Sequence, residues 1–486
     1  MASLPEPGAF GAAFEDFIRA MTAAAQRPEP EVARRVRDHL GADPKDLPAT
    51  TAEFSATERA NVQLAIEAVL PDAELIAFTQ RHMSPVPLAL ADVTGGSNPY
   101  ASLAYGTTRY VEVEVGDGRV VRCIESGLFL VRRDGRPLVL MLVPAAGHNP
   151  LEASMLRLEG IAEDEAVVSE LLRDLRVAMR EQNVFRGKVF SLQADDYRSV
   201  SVHFHSLPDV PRSGVVLPEG TLERLEQHAV GIAENADALR AAGRHLKRGV
   251  LLHGPPGTGK TLSLMYLLGA MPGRTTILLT GRGLGLIPNA VRMARELAPA
   301  TVVFEDVDLV ASERTMPMSS GGVLFDLLNQ IEGLAEDEDL LFLLTTNRPD
   351  LIEPALAARP GRIDLALEIP LPDEDGRRRL LRLYGEGIPL DAGTEATLAA
   401  RSAGVSGAFI KELVRQAWLR SALDGRDAPT GADLVSVLDD LLDERSALTR
   451  RLLGQQSDEG SPDSGAFPAM VHAMRAAGMP VPGPLD

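Results

Sequence analysis

The chain has 486 residues, 45% of them hydrophobic, and a formal net charge of −19 from 49 Lys and Arg against 68 Asp and Glu. That length fits two or three domains, and 43 Gly with 34 Pro stay well below the Gly/Pro share of about 25–30% that marks low-complexity chains. The acidic balance argues against a duplex-binding surface, which needs clustered Lys and Arg, so no nucleic-acid partner is expected.

One cysteine, Cys123, excludes an internal disulfide framework and fits a reducing, cytoplasmic location. No basic stretch followed by an apolar core opens the chain, so no signal peptide is expected. The longest clean apolar run, residues 138–143, is far too short for a membrane segment.

Residues 1–90 read as short helices with Pro-rich joints, at 10–22, 30–40 and 56–70, and carry no evident chemistry. Residues 91–106 are turn-rich and read as a linker. An α+β region follows, and 91–215 is taken as one domain. Within it, Val111, Val113 and Val115 alternate on one strand face. Asp134-Gly135 between two apolar runs is a hairpin signal. Residues 163–183 have the spacing of an amphipathic helix, and 184–192 and 197–207 read as strands. His203 and His205 share a strand face, but no third ligand is evident, so they read as solvent-facing rather than as a metal site.

From residue 216 to 372 strands and helices alternate, the pattern of a parallel α/β sheet. An apolar run, Val250-Leu251-Leu252, leads into Gly254-Pro255-Pro256-Gly257-Thr258-Gly259-Lys260-Thr261, and a helix-like run follows. This is the phosphate-binding P-loop pattern. The glycines let backbone N–H groups wrap phosphates, Lys260 reaches the β/γ-phosphates, and Thr261 can ligate Mg²⁺. A second apolar strand ends in Glu305-Asp306-Val307-Asp308. One of the carboxylates Glu305 and Asp306 would hold hydrated Mg²⁺ and the other would polarise the attacking water. Asn347 ends a further strand, where its amide can orient the same water. From 373 to 453 the chain reads as helices only, with Asp373 and Thr394 as caps and Thr430 to Asp433 as a capping box. Residues 454–486 read as a disordered tail.

The stretch from Thr346-Asn347-Arg348-Pro349-Asp350 to Arg359-Pro360-Gly361-Arg362 resembles the second region of homology of the AAA family of ATPases, and Gly404-Val405-Ser406-Gly407-Ala408 resembles that family's lid motif. The resemblance covers about residues 217–450. It implies an α/β fold: a P-loop parallel-sheet ATPase with a C-terminal helical lid, here preceded by an α+β N-terminal domain. It implies ATP and Mg²⁺ as cofactors. Asn347 then senses the γ-phosphate, Gly407 and Ala408 lie near the adenosine, and Arg359 and Arg362 act as arginine fingers on the neighbouring subunit's nucleotide. A finger supplied in trans implies a homo-oligomeric ring, a hexamer or similar.

Three departures from the family pattern carry information. Most members read Asp-Glu where this chain reads Glu305-Asp306, an order similar to the subgroup that includes the mitochondrial complex III assembly ATPase. Threading members carry an aromatic residue in the loop after the second strand; here Gly281-Arg282-Gly283-Leu284-Gly285-Leu286-Ile287 has none. The lid motif continues with Phe409 where Asp is usual. The reading is an ATP-hydrolysing ring that remodels, unfolds or assembles protein clients, with 91–215 as the client or partner domain. The alternatives are a cap for a separate protease and a nucleic-acid-linked motor. The chain has no His-Glu-x-x-His zinc motif of its own, and its ending, Gly483-Pro484-Leu485-Asp486, lacks the hydrophobic–Tyr–x signal with which proteasome activators dock.

Overall fold

The structure is a computed structural model that describes residues 16, 31–80, 89–90, 103–144, 155–194, 200–308, 338–350 and 363–452. Apart from residue 16, the expected helix at 10–22 lies outside the described residues, as does the tail at 454–486; a helix that the sequence also suggests at 323–333 lies outside them too. The chain forms two compact units, residues 1–371 and 372–486.

The first unit begins with helix α1 (Glu31–Leu40) and an antiparallel sheet. Its strands are β1 (Ala49–Ser55), β2 (Glu74–Gln80) and β3 (Leu103–Tyr105), then β6 (Gly127–Arg133), β7 (Arg136–Pro144) and β8 (Met155–Ala162), after a separate hairpin of β4 (Tyr110–Glu114) and β5 (Val120–Ile124). The sheet order is β1-β8-β7-β6-β2-β3. Helices α2 (Arg59–Val69) and α3 (Glu165–Glu181) also belong to this region.

Both faces of the sheet are covered, which explains the unbroken apolar run on β7. Leu138, Leu140 and Leu142 pack under α2 and α3, while Val139, Met141 and Val143 pack under Val32, Val36 and Leu40 of α1. A strand buried on both sides reads as continuous hydrophobics rather than as an alternation. The β6–β7 turn is the one its sequence requires: Asp134 and Gly135 both take positive φ, at 50° and 78°, as a two-residue type I′ hairpin demands.

Two expectations need correction here. Residues 1–90 are not purely helical, because 49–55 and 74–80 are strands of this sheet. Strand β1 is an edge strand whose inward residues are only Ala52 and Phe54, too short an alternation to stand out beside the capping box that Ser55 and Glu58 form just after it. The two strands expected to finish the α+β domain, β9 (Val189–Ala194) and β10 (Val200–Phe204), instead join the second sheet.

That second sheet has seven strands in the order β10-β9-β12-β13-β14-β11-β15, adding β11 (Arg248–His253), β12 (Thr275–Leu279), β13 (Ala300–Phe304), β14 (Leu340–Thr346) and β15 (Leu365–Glu368). All neighbours are parallel except β9 and β10. Helices cover both faces: α4 (Thr221–Glu226), which continues through a π-turn at Gln227–Gly231 and a short turn into α5 (Ala236–Ala241), then α6 (Lys260–Gly269) and α7 (Ile287–Glu296). On β14, Leu340, Phe342 and Leu344 face α7, whereas Leu341 and Leu343 face α4 and α6. The result is the α/β fold expected, with a mostly parallel central sheet.

At the starts of the parallel strands a buried ionic clamp ties four of them together. Asp339, just before β14, accepts from Arg248 Nη1 at 3.1 Å and Arg274 Nη1 at 2.9 Å; Arg274 Nη2 also donates to the Ala300 carbonyl at 2.9 Å. The antiparallel region is fastened to the parallel sheet through its outer strands. Val184 N donates to Asn61 Oδ1 at 2.9 Å, Lys188 pairs with Asp117, and the Phe204 ring lies against Gly116.

The second unit contains α8 (Glu374–Tyr384), α9 (Ala392–Arg401), α10 (Gly407–Leu423) and α11 (Gly431–Leu452) around Leu380, Leu398, Ile410, Leu413 and Leu438. Asp373 and Ser406 cap α8 and α10, and Thr430 with Asp433 forms the expected reciprocal cap of α11. Helix α9 is capped by Asp391 and not by Thr394, which lies inside it and donates to Asp391.

Candidate nucleotide site

Strand β11 lies between β14 and β15, and the P-loop leaves its C-terminal end. Ligands of parallel α/β sheets bind in the crevice outside those strand ends. The loop turns sharply: Gly254, Gly257 and Gly259 take φ of 142°, 75° and 106°, a region costly for any residue with a Cβ. At Gly254 space forbids one as well, since a Cβ would stand 2.2 Å from the Ile369 carbonyl oxygen. Thr258 is buried and donates to the Pro255 carbonyl at 2.9 Å, bracing the loop, while Pro255, Pro256 and Gly257 are exposed. Gly259 then begins α6, whose first residues are Lys260 and Thr261. The helix N-terminus and its free N–H groups favour an anion.

Lys260 is 6% exposed, so its ammonium needs acceptors. It donates to the carbonyls of Gly254 and Pro255 and to Asn347 Oδ1, each at 2.8 Å. Burial pushes its pKa below the ordinary lysine value, while Asp306 and Asp308 pull it back up. Asn347 uses the other end of its amide to donate from Nδ2 to Asp306 Oδ1 at 3.0 Å. Lysine, amide and carboxylate thus form one chain across the ends of β11, β14 and β13.

Asp306 is in the left-handed region, with φ of 50°, a conformation aspartate tolerates better than most residues. Its N–H is held by Thr345 Oγ1 at 3.0 Å, and the next N–H, of Val307, by the Thr345 carbonyl at 3.0 Å. Glu305 continues the β13 ladder, donating its N–H to the Leu279 carbonyl at 3.1 Å. Asp308 is buried and accepts at Oδ1 from Thr346 Oγ1 at 2.8 Å and from Asn347 N at 3.1 Å.

The structure therefore brings Lys260, Asn347 and Asp306 together, with Glu305 beside them in sequence. Gly407 and Ala408 open α10 in the other compact unit. Arg359 and Arg362 lie outside the described residues. Sequence reasoning gave no role to Asp308, Thr345 or Thr346; the run of acids after β13 and the paired hydroxyls before Asn347 were the available signals.

The donors suit a magnesium nucleotide. Thr261 is an exposed residue on the first turn of α6, and Glu305 supplies carboxylate oxygen at the strand end. Mg²⁺ takes oxygen ligands and usually relies on one or two protein groups plus phosphates and water. No cluster of three or more His, Cys, Asp or Glu that could hold a metal occurs among the described residues. His203 and His205 are both exposed, and they bond to Ser201 Oγ at 3.1 Å and Ser191 Oγ at 2.8 Å.

The loop after β12 forms a 3₁₀ turn, Gly281–Leu286. A Cβ at Gly283 would stand 2.6 Å from the Leu192 carbonyl oxygen of β9. Leu286 packs against the hydrophobic core under α7, and Ile287 is buried in it. No helix among the described residues is long and apolar enough to cross a membrane.

Residues 250–371 match the model of the ATPase family associated with various cellular activities, AAA. Over 210 residues the chain is 35% identical to the proteasome-activating nucleotidase of Methanothermobacter thermautotrophicus, a match covering 40% of this chain and 51% of that protein. It is 28% identical over 319 residues to the protein of the same name from Methanopyrus kandleri, covering 63% and 69%. It is 32% identical over 236 residues to the ATP-dependent zinc metalloprotease FtsH 2 of Symbiobacterium thermophilum, covering 46% and 39%. The chain thus spans about half the length of the first of these relatives. The P-loop, the acidic strand end and Asn347 all fall within the residues that match the model of this ATPase family.

Proposed function

We propose that this protein is a Mg²⁺-dependent ATPase that works as a homo-oligomeric ring, on the family pattern a hexamer, and uses ATP hydrolysis to remodel protein clients. The observation that carries the ATPase reading is the chain Lys260–Asn347–Asp306 at the mouth of the P-loop. Lys260 binds the β/γ-phosphates. Asn347, bonded to both partners, orients the attacking water and reads the presence of the γ-phosphate. Asp306 polarises that water, and Glu305 with Thr261 would hold Mg²⁺. The metal, when bound, neutralises phosphate charge. Arg359 and Arg362 act on the neighbouring subunit's nucleotide, and the lid pair Gly407-Ala408 is assigned to nucleotide binding on the family pattern alone. The order Glu305-Asp306 supports kinship with the complex III assembly subgroup.

Clients are proposed to be proteins because the relatives are named for proteasome activation and proteolysis. The antiparallel region preceding the ATPase sheet is the proposed client or partner module, in a cytoplasmic protein. The same names favour a second reading, in which the ring serves a separate protease. Adding a candidate protease separates the two: ATP-dependent degradation of an unfolded model protein supports the second, and ATP-dependent refolding or disassembly without degradation supports the first.

The founding test is Lys260→Ala. The variant should lose ATP turnover and bind a fluorescent ATP analogue at least tenfold more weakly, with the circular dichroism spectrum unchanged. Wild-type turnover in that variant would remove the P-loop from the mechanism.

A further inference from the structure

Asn347 is held from two sides. Its side chain spans Lys260 and Asp306, and such a bridge works only if the backbone carrying it is fixed. The fixing group is Asp308. Its buried carboxylate, 8% exposed, receives on one oxygen both the Asn347 N–H at 3.1 Å and the Thr346 hydroxyl at 2.8 Å. Thr346 Oγ1 in turn accepts the Arg348 N–H at 2.9 Å. Three consecutive residues at the end of β14 are thereby tied to one carboxylate beyond the end of β13. The reciprocal tie runs the other way, from the N–H of Asp306 to Thr345 Oγ1 at 3.0 Å. The two strand ends that carry the amide and the acid are thus locked to each other by the side chains of Asp308, Thr346 and Thr345.

We infer that Asp308 is a positioning residue for ATP hydrolysis: through the Asn347 N–H and the Thr346 hydroxyl it sets the Asn347 amide between Lys260 and Asp306. This rests on the reading of Asn347 given above. A carboxylate acceptor makes these bonds charge-assisted, roughly twice as strong as neutral ones. Displacements of about 1 Å at a reacting centre can cost about a hundredfold in rate, so a loosened amide should slow turnover well before it weakens nucleotide binding.

The test is a double-mutant cycle. Asp308→Ala, Asn347→Ala and the double variant are compared by kcat, by KM, by affinity for a fluorescent ATP analogue and by melting temperature. Asp308→Ala is expected to lower kcat by roughly tenfold to a hundredfold, with analogue affinity within about threefold of wild type. If Asp308 acts through Asn347, adding Asp308→Ala to Asn347→Ala should cost no further kcat. Asp308→Asn, which keeps an acceptor of the same shape, should recover most of the rate, and Thr346→Val, which removes the hydroxyl bond to Asp308, carries the cycle with Asn347→Ala should the alanine variant not fold. A kcat loss that multiplies with that of Asn347→Ala, or an undiminished Asp308→Ala enzyme beside a slow Asn347→Ala enzyme, overturns the inference on Asp308 alone. Wild-type turnover in Asn347→Ala would instead bring down the assignment of Asn347, and this inference with it.

Discussion

The two carboxylates after β13 differ in what holds them, and that difference predicts a division of labour. Asp306 takes a left-handed backbone, fixed by Thr345, and its side chain meets the Asn347 amide. Glu305 still belongs to the ladder with β12 through its N–H. Asp306→Asn is expected to bind ATP but to hydrolyse it about 10²–10⁴-fold more slowly, the usual cost of losing a positioned general base. Glu305→Gln should chiefly raise the Mg²⁺ concentration needed for half-maximal turnover. Single-turnover hydrolysis beside a Mg²⁺ titration distinguishes them, and the opposite pattern would exchange their roles. This part of the site was legible in the sequence because its chemistry is local: eight consecutive residues make the P-loop, and two make the acidic pair. Asp308 was not, because its partners Thr346 and Asn347 are 38 and 39 positions away, and no local spacing encodes a bond between two strand ends.

At the scale of elements, the strands were easier to recognise than to assign. Strands β9 and β10 were expected near their observed positions, yet they extend the ATPase sheet rather than the antiparallel one. A short apolar strand carries its own periodicity but not the identity of its neighbour. The placement has a consequence for the Gly281–Leu286 turn. Its close approach to Leu192 at Gly283 and the packing of Leu286 against the core make it a braced connection between β12 and α7, not a free gripping loop. Leu286→Ala should therefore behave as a packing change, lowering stability by about 1–3 kcal/mol because the side chain is only partly buried, and leave client remodelling within about threefold of wild type. Thermal melting and a remodelling assay, run side by side, check this; abolished remodelling with unchanged melting would favour threading through the loop. By the same placement, deleting residues 91–215 removes two strands of the catalytic sheet, so a deletion meant to test the client module must stop short of β9.

The clamp at the other ends of these strands predicts a pH dependence. Burial, then the nearby Arg274, brings Arg248 down to about 10 against the pull of Asp339. Burial alone would raise Asp339, but the hydrogen bonds and charges of Arg274 and Arg248 hold it below the ordinary carboxylate value. A carboxylate depressed in the folded state contributes stability above its unfolded pKa, near 4, and loses it as pH falls through the folded value. Asp339→Ala leaves two arginines buried without their counter-charge, a loss of about 3–5 kcal/mol. Denaturant melts should show that deficit in full at pH 7 and a shrinking one below about pH 4. A deficit independent of pH would mean that the clamp acts by packing rather than by charge.

For the whole molecule, the open question is whether one chain completes its own site. Arg348, adjacent to Asn347, is engaged with Asp350 through two bonds of 3.0 and 2.8 Å and is thereby directed to an exposed pair. On the proposed reading, the arginine that meets developing phosphate charge is Arg359 or Arg362, which the family pattern assigns to the neighbouring subunit. Subunits carrying Lys260→Ala and subunits carrying Arg359→Ala should each be inactive alone, the second by about 10³–10⁵-fold if Arg359 is the finger. In rings mixed at random in equal amounts, an active site needs an Arg359→Ala subunit to supply the P-loop and a Lys260→Ala subunit next to it to supply the finger. With independent sites and a finger in trans, about a quarter of the interfaces meet that condition, and activity should return to about that fraction of wild type. It should fall on either side of the equal mixture, because the fraction is the product of the two proportions. A finger acting within its own chain gives no active site at any ratio. Hydrolysis measured across the mixing series, with native mass spectrometry counting mixed rings, decides between the two. A flat, inactive series over rings shown to be mixed would mean that Arg359 serves its own subunit or acts only in packing, and the ring would no longer be required by the chemistry.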